Sequence, residues 1–282
     1  MLLGFNMLLW STHVTEEHFS RFADIKRAGF DGVELPIFEG TFEHFRKVGQ
    51  AIRDNGLRST AVTVIPDAER NCASADPAVR AAGLEHLKWA IDCLAAAGGE
   101  TLCGPFYQPL GVFTGEPPTK AEWANVASVH KDAAAYAARH NIKLSVEPLN
   151  RFECYVLNTV ADSADVVRQV SAPNYGLLYD TFHANIEEKD PVGVIGPNIA
   201  HINHVHFSEN DRGTPGKGHV PWAATMSALK QGGYDGWCVI EAFGRALPDL
   251  AAATRVWRDF FPSRDEVYQF GGKFLREQWA KA

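Results

Sequence analysis

Glu147, Asp180, His206 and Glu241 each close a short apolar run, and they follow one another at intervals of 33, 26 and 35 residues. Three carboxylates and an imidazole make a hard, mostly oxygen donor set, which suits Mn2+, Mg2+ or Co2+ better than thiolate-seeking ions and makes zinc a less favoured occupant. Each residue alone has an ordinary explanation: a strand-end carboxylate anchors a loop in water, and a single histidine is commonly a hydrogen-bonded core residue. As a set they argue differently. Buried unpaired carboxylates are costly, and the three of this set, gathered with His206 on neighbouring strands, would repel unless a cation lay among them. The expected cofactor is one divalent metal ion, Mn2+ first.

The elements that would carry these groups are legible in the pattern around them. Ile142 to Glu147, Tyr175 to Asp180, His204 to His206 and Trp237 to Glu241 are extended by composition, and each precedes a loop and a helical pattern. The first half repeats the unit without ligands, at Leu3 to Leu9, Phe30 to Pro36, Leu57 to Ile65 and Glu100 to Gly104. Helices are marked by their ends: Thr15 with Glu16 and Glu17 up to Gly29, Thr41 to Asn55 with Gly56 beyond, and Asp76-Pro77 up to Gly98-Gly99. Thr119 and Glu122 have capping-box spacing. Eight strand-helix units predict an α/β fold, a (β/α)8 or TIM barrel, as a single domain over residues 1–282. Asp265 to Trp279 reads as a short extra C-terminal helix, and Trp257 and Phe260, at helical spacing, read as packing. In such a barrel functional groups gather at the C-terminal ends of the strands.

Composition agrees. A chain of 282 residues suits one barrel, no Ser-, Pro- or Gly-rich linker divides it, and 46% hydrophobic content supports a large core. No apolar run approaches the roughly 18 residues of a membrane span. The N-terminus enters strand-like sequence at once, without a basic segment or small-residue cleavage site, and the five cysteines form no CxxC pair. The expectation is a cytoplasmic protein with reduced thiols and no membrane partner. A net charge of −7 argues against nucleic acid as a partner.

The ring order also suggests chemistry. Strands 5 and 8 lie three steps apart, with neighbouring strands about 4.8 Å from each other. Glu147 and Glu241 can therefore approach opposite faces of a small molecule held between them. Two such bases beside a Lewis acid suit removal of a proton next to a carbonyl. Return of that proton from the other face inverts the centre, whereas its return to the carbonyl carbon interconverts aldose and ketose.

Several longer motifs resemble one family. Glu147-Pro-Leu-Asn150-Arg151-Phe152-Glu153 with Leu157-Asn158-Thr159, and Asp180-Thr181-Phe182-His183 with Asn185-Ile186-Glu187-Glu188, are similar to stretches of the D-tagatose 3-epimerase and D-psicose (allulose) 3-epimerase group of the xylose-isomerase-like barrels. His206 with Ser208-Glu209-Asn210 and Arg212, and Glu241-Ala-Phe243, continue the likeness, which is strongest from about residue 140 to 260. The resemblance implies that Glu147, Asp180, His206 and Glu241 hold the metal, that Glu147 and Glu241 also exchange the proton, and that Glu153, His183 and Arg212 contact a small-molecule sugar. It further implies a homodimer or homotetramer. The expected activity is epimerisation of a free ketose at C3 through a cis-enediolate.

On their own terms the contact residues have other readings: Glu153 as a surface ion pair, His183 as a helix cap, Arg212 as part of an Asp-Arg-Gly turn, and Asn150 and Arg151 as loop supports. Trp10, Phe106 and Tyr107 are candidates for an apolar pocket wall or equally for core. The departures are Pro148 and Ala184, where branched apolar residues and Met are common in the family. Rival activities are a related isomerase acting on hydroxypyruvate, an inosose or a sugar phosphate, with Lys217 as a phosphate holder, and a multi-metal nuclease. The nuclease would need ligands on strands 2 to 4, where Glu34 alone qualifies, and Glu34 can equally serve a sugar site. A non-catalytic sugar-binding barrel is disfavoured because both proton-transfer glutamates are present.

Overall fold

Eight parallel strands close on themselves in sequence order: β1 Leu2–Asn6, β2 Gly32–Pro36, β3 Arg58–Val62, β4 Thr101–Gly104, β5 Lys143–Val146, β6 Tyr175–Asp180, β7 Ile202–Phe207 and β8 Trp237–Ile240. The computed structural model describes all of residues 1–282. Around the barrel run α1 Ser20–Arg27, α2 Phe42–Asp54, α3 Pro77–Ala97, α4 Lys120–Ala138, α5 Val160–Val170, α6 Thr181–Glu187, α7 Ile195–Asn198, α8 Trp222–Gln231, α9 Pro248–Thr254 and α10 Arg264–Lys281. The predicted end signals act as such. Thr41 accepts from the His44 amide, Asp76 from the Ala78 amide with Pro77 behind it, and Thr119 and Glu122 cap each other reciprocally. The C-terminal helix α10 lies beside α8, and Arg276 reaches back to Asp31 at 3.0 Å, closing the outer ring.

The differences from the sequence reading are local and have causes. The run Leu3 to Leu9 is a strand only as far as Asn6, because the Asn6 side chain accepts from the Leu8 amide and turns Met7–Leu9 into a 3-10 segment. The first helix starts late, after a separate 3-10 turn at Glu16–His18. Trp257 and Phe260 are not helical: Arg255, at φ 60°, ends α9. Phe260 packs on a small apolar cluster, whereas Trp257 is 67% exposed, so the packing role expected for it is corrected.

An irregularity in β7 matters for the interior. Leu177 pairs with Ile202 but Leu178 pairs with His204, so Asn203 is the extra residue of a bulge. Its side chain accepts from the Ser145 hydroxyl at 2.6 Å and donates to the Leu144 carbonyl, in a space that a Cβ on Gly176 would occupy. From there the register places His206 opposite Asp180 and Val239. Both His204 and His206 then point into the barrel, where each is fully buried.

Gly104 ends β4 at φ 123°, with any Cβ 2.4 Å from the Thr63 carbonyl oxygen. Side chains are excluded there both by conformation and by space. Gly104→Ala is expected to lower unfolding free energy by about 1–3 kcal/mol in urea titration; an unchanged midpoint would show that the β4 end relaxes freely.

Candidate metal centre and cleft

The candidate ligands sit at the C-terminal rim for reasons local to each strand. Glu147 and Glu241 are the residues immediately after β5 and β8, and Asp180 is the last residue of β6. Asp180 divides its two oxygens: Oδ1 accepts from the Phe182 amide and caps α6, while Oδ2 faces the interior beside Ser208 and Arg212. His206 stands one residue short of the end of β7. Its Nδ1 lies 3.8 Å from Glu147 Oε1, 3.8 Å from Asp180 Oδ2 and 3.6 Å from Glu241 Oε2. One donor atom from each of the four lies within 4.8 Å of the others, and all four residues are buried.

That cluster fits a cation on two independent grounds. The separations exceed hydrogen-bond length, as for groups arranged around a common point. Glu147 Oε1 and His206 Nδ1 are also buried without any hydrogen-bond partner, a costly condition that a shared cation would remove. The charges agree as well. Three carboxylates and the Arg212 guanidinium leave two formal negative charges, the amount that a divalent ion cancels.

Burial holds the Glu147 carboxyl well above the usual carboxylate range, and Glu241 and Asp180 push it the same way against the opposing charge of His206. Burial acts upward on Asp180 too, but there Arg212 outweighs it and holds the group well below its ordinary value. For His206 burial acts downward and is outweighed by the Glu34 carboxylate, so the imidazolium persists well above its ordinary value. His183 goes the other way: burial, helped by Arg212, pushes it down to about 3.

Arg212 occupies the expected turn, at φ 65°, and its side chain points inward. The guanidinium is stacked between the rings of Phe182 and Phe243, 3.9 and 4.8 Å from their centres, and Nη1 donates to Asp180 at 3.1 Å and to Glu241 at 2.7 Å. His183 Nδ1 lies 3.0 Å from the Asn150 amide nitrogen, and Nε2 lies 2.8 Å from Arg212 Nη2 and 3.8 Å from Glu147 Oε1, so donors face both ring nitrogens. Asn150 also donates to Glu153 Oε1 at 2.7 Å, so one loop residue orients two of the proposed contacts. Arg151 pairs with Glu187 and supports the loop from outside.

Glu147, Glu153, His183, Arg212 and Glu241 line one cleft. Its opposite wall is apolar: Leu8, Phe38, Val62, Val64, Pro105 and Leu110. The three aromatics offered as that wall lie elsewhere, so their pocket role is corrected. Trp10 packs on Phe5 and Tyr268, Phe106 on His130, and the Tyr107 hydroxyl contacts Cys154 and donates to the Leu157 carbonyl. Side-chain type marked them as wall candidates, but only the barrel decides which face of a loop turns inward. Lys217, the phosphate candidate, is exposed over the Phe270 ring at 4.4 Å and does not line the cleft.

Two features escaped the sequence reading. Glu209 is fully buried and accepts from the amides of Gly216 and Val220 and from Trp222 Nε1, which folds the Gly-rich loop after β7. Beneath the ligand cluster, Glu34 is fully buried among Asn6, Thr60, Cys103, His204 and His206. Its carboxyl is held well below the usual range because the two histidines outweigh the upward effect of burial.

A closed parallel barrel with a buried carboxylate-imidazole cluster at its C-terminal rim defines a TIM barrel that carries a candidate cation site. The chain belongs to the xylose isomerase-like TIM barrel family, whose model matches residues 22–277. Its relatives include ketose 3-epimerases. A probable ketose 3-epimerase of Synechocystis sp. is 33% identical over 98% of this chain and 96% of its own length, and a ketose 3-epimerase of Arthrobacter globiformis is 33% identical over 99% and 96%. The crystal structure of a D-allulose 3-epimerase from Methylomonas sp. in complex with D-allulose superposes with a TM-score of 0.91 at 30% identity, covering 99% of this chain and 97% of that one.

Removing Arg212 would leave two buried carboxylates facing each other. Arg212→Met is expected to destabilise the protein in EDTA by about 3–5 kcal/mol in urea unfolding; a loss below about 1 kcal/mol would mean that water reaches the cluster and screens it.

Proposed function

We propose that this chain is a divalent-metal-dependent ketose 3-epimerase acting on a free ketose. The observation that carries the reading is the convergence of Glu147, Asp180, His206 and Glu241 on one point with two of their buried polar atoms unpartnered. The names of the relatives support the reaction class. Glu147, Asp180, His206 and Glu241 would hold the ion, and Mn2+ heads the hard ions that suit such donors. Once bound, the ion supplies Lewis-acid polarisation of the ketose carbonyl and its adjacent hydroxyl, which makes the C3 proton easier to remove.

The residues of the chain do the rest. One of Glu147 and Glu241 takes the C3 proton, and the other returns a proton to the opposite face of the planar cis-enediolate, inverting C3. Glu241 Oε2 is fixed by Arg212, while Glu147 Oε1 faces His183. The Arg212 guanidinium, with His183 Nε2 2.8 Å from its Nη2, faces one side of the cleft, a donor suited to an oxygen on which negative charge develops. Glu153, oriented by Asn150, accepts a sugar hydroxyl, and the apolar wall takes the carbon face of the sugar.

Glu241→Gln should fold with an unchanged far-UV spectrum and lose turnover; substantial residual activity would point to another base. Incubating Mn2+-loaded enzyme with a panel of ketoses in deuterated water, with NMR analysis, should place deuterium at C3 of a retained ketose. Label at C1 with aldose formation would instead establish the aldose-ketose reaction.

Ion binding should also be linked to protons. Burial raises the Glu147 carboxyl and the Glu34 carboxylate raises His206, so protons compete with a cation for both groups. Affinity for Mn2+ is therefore expected to fall as pH is lowered, with at least one proton released per ion by calorimetry in buffers of different ionisation enthalpy. Binding without proton release would refute this assignment.

A further inference from the structure

We infer that Glu34 is a positioning residue for the metal centre, fixing the tautomer of His206 and, through Asn6, the orientation of Glu241. The inference rests on the metal-site reading above. The barrel register puts Asn6, Glu34 and Thr60 at one level of three adjacent strands, directly beneath the ligands. Glu34 Oε1 accepts from His206 Nε2 at 2.7 Å and from Asn6 Nδ2 at 3.0 Å. Oε2 accepts from His204 Nε2 at 2.8 Å, from the Thr60 hydroxyl at 2.9 Å and from the Cys103 thiol at 3.2 Å.

An ionised carboxylate has acceptor sites only, so each of these neighbours must present a hydrogen. His206 is thereby required to carry its proton on Nε2. Its Nδ1 is then the nitrogen free to bind an ion, and it is the one that faces the three carboxylates with no hydrogen-bond partner. A ligand histidine whose other nitrogen donates to a carboxylate is held in ring orientation as well as in tautomer.

Asn6 extends the arrangement to the proton-transfer pair. Its Oδ1 accepts from the Leu8 amide, which settles which end of the amide is the donor. The two hydrogens on Nδ2 then go to Glu34 Oε1 at 3.0 Å and to Glu241 Oε1 at 3.1 Å. Glu241 is consequently tied at Oε1 from below and presents Oε2 to the cleft. Glu147 has no such tether on Oε1.

Glu34→Gln keeps the shape but puts a donor where only acceptors stood, so His206, His204, Thr60 or Asn6 must turn away. The test measures Mn2+ affinity of wild type and E34Q by calorimetry, together with thermal unfolding in EDTA. The expected result is a dissociation constant about 10–100-fold weaker in E34Q, larger than any effect of Glu34→Asp, which keeps the acceptor. Affinity within twofold of wild type would overturn the inference, whatever the change in melting temperature. A second measurement needs no variant: 15N spectra of histidine-labelled wild type with Mg2+ should show His206 protonated at Nε2, and the opposite tautomer would overturn the assignment. Absence of Mn2+ binding by the wild type would instead defeat the metal-site reading itself.

Discussion

Three carboxylates brought to one buried point repel one another, and the rest of the site is organised around that repulsion. Glu147, Asp180 and Glu241 are nearly inaccessible to water, so solvent screens them poorly. Arg212 compensates part of the charge and is itself held between two aromatic rings. The raised pKa values of Glu147 and His206 answer the same crowding of charge, which a divalent ion would also relieve. Burial thus makes the bare cluster costly, and a cation is the species that would relieve it.

A parallel barrel is suited to holding such a cluster because its strand ends converge while its loops remain free to vary. The backbone register, not the loops, sets the height of Asp180 opposite His206 and of Asn6, Glu34 and Thr60 below them. Loops then add the groups that face a ligand: the β5 loop supplies Asn150 and Glu153, and the β7 loop, folded on Glu209, supplies Arg212. All the ionic residues of the cleft follow the last four strands, together with Leu149, Phe243 and Leu250, whereas the first four strands and their loops supply only apolar lining.

The strands, most helix ends and the four candidate ligands were legible because their signals are local. Caps such as Asp76-Pro77 act within one turn, and a charged residue closing an apolar run marks a strand end whatever the fold. The misreadings fall where a single side chain redirects the backbone or where burial is decided at a distance. Asn6 ended a strand whose composition continues to Leu9, and of the two readings open for Phe106 and Tyr107, wall or core, burial chose the core. Glu34 stood out only as a candidate for a metal or sugar site, and its network was hidden because its partners come from β1, β3, β4 and β7, remote in sequence.

From the chain alone came the eight-unit barrel, the donor set of a hard cation and the kinship with ketose epimerases, since residue type, period and spacing encode them directly. Only tertiary structure decided which nitrogen of His206 faces the carboxylates, which oxygen of Glu241 is tied, and which apolar residues form the cleft wall. Those outcomes depend on register between strands and on hydrogen bonds spanning up to 235 residues, and no local pattern specifies either.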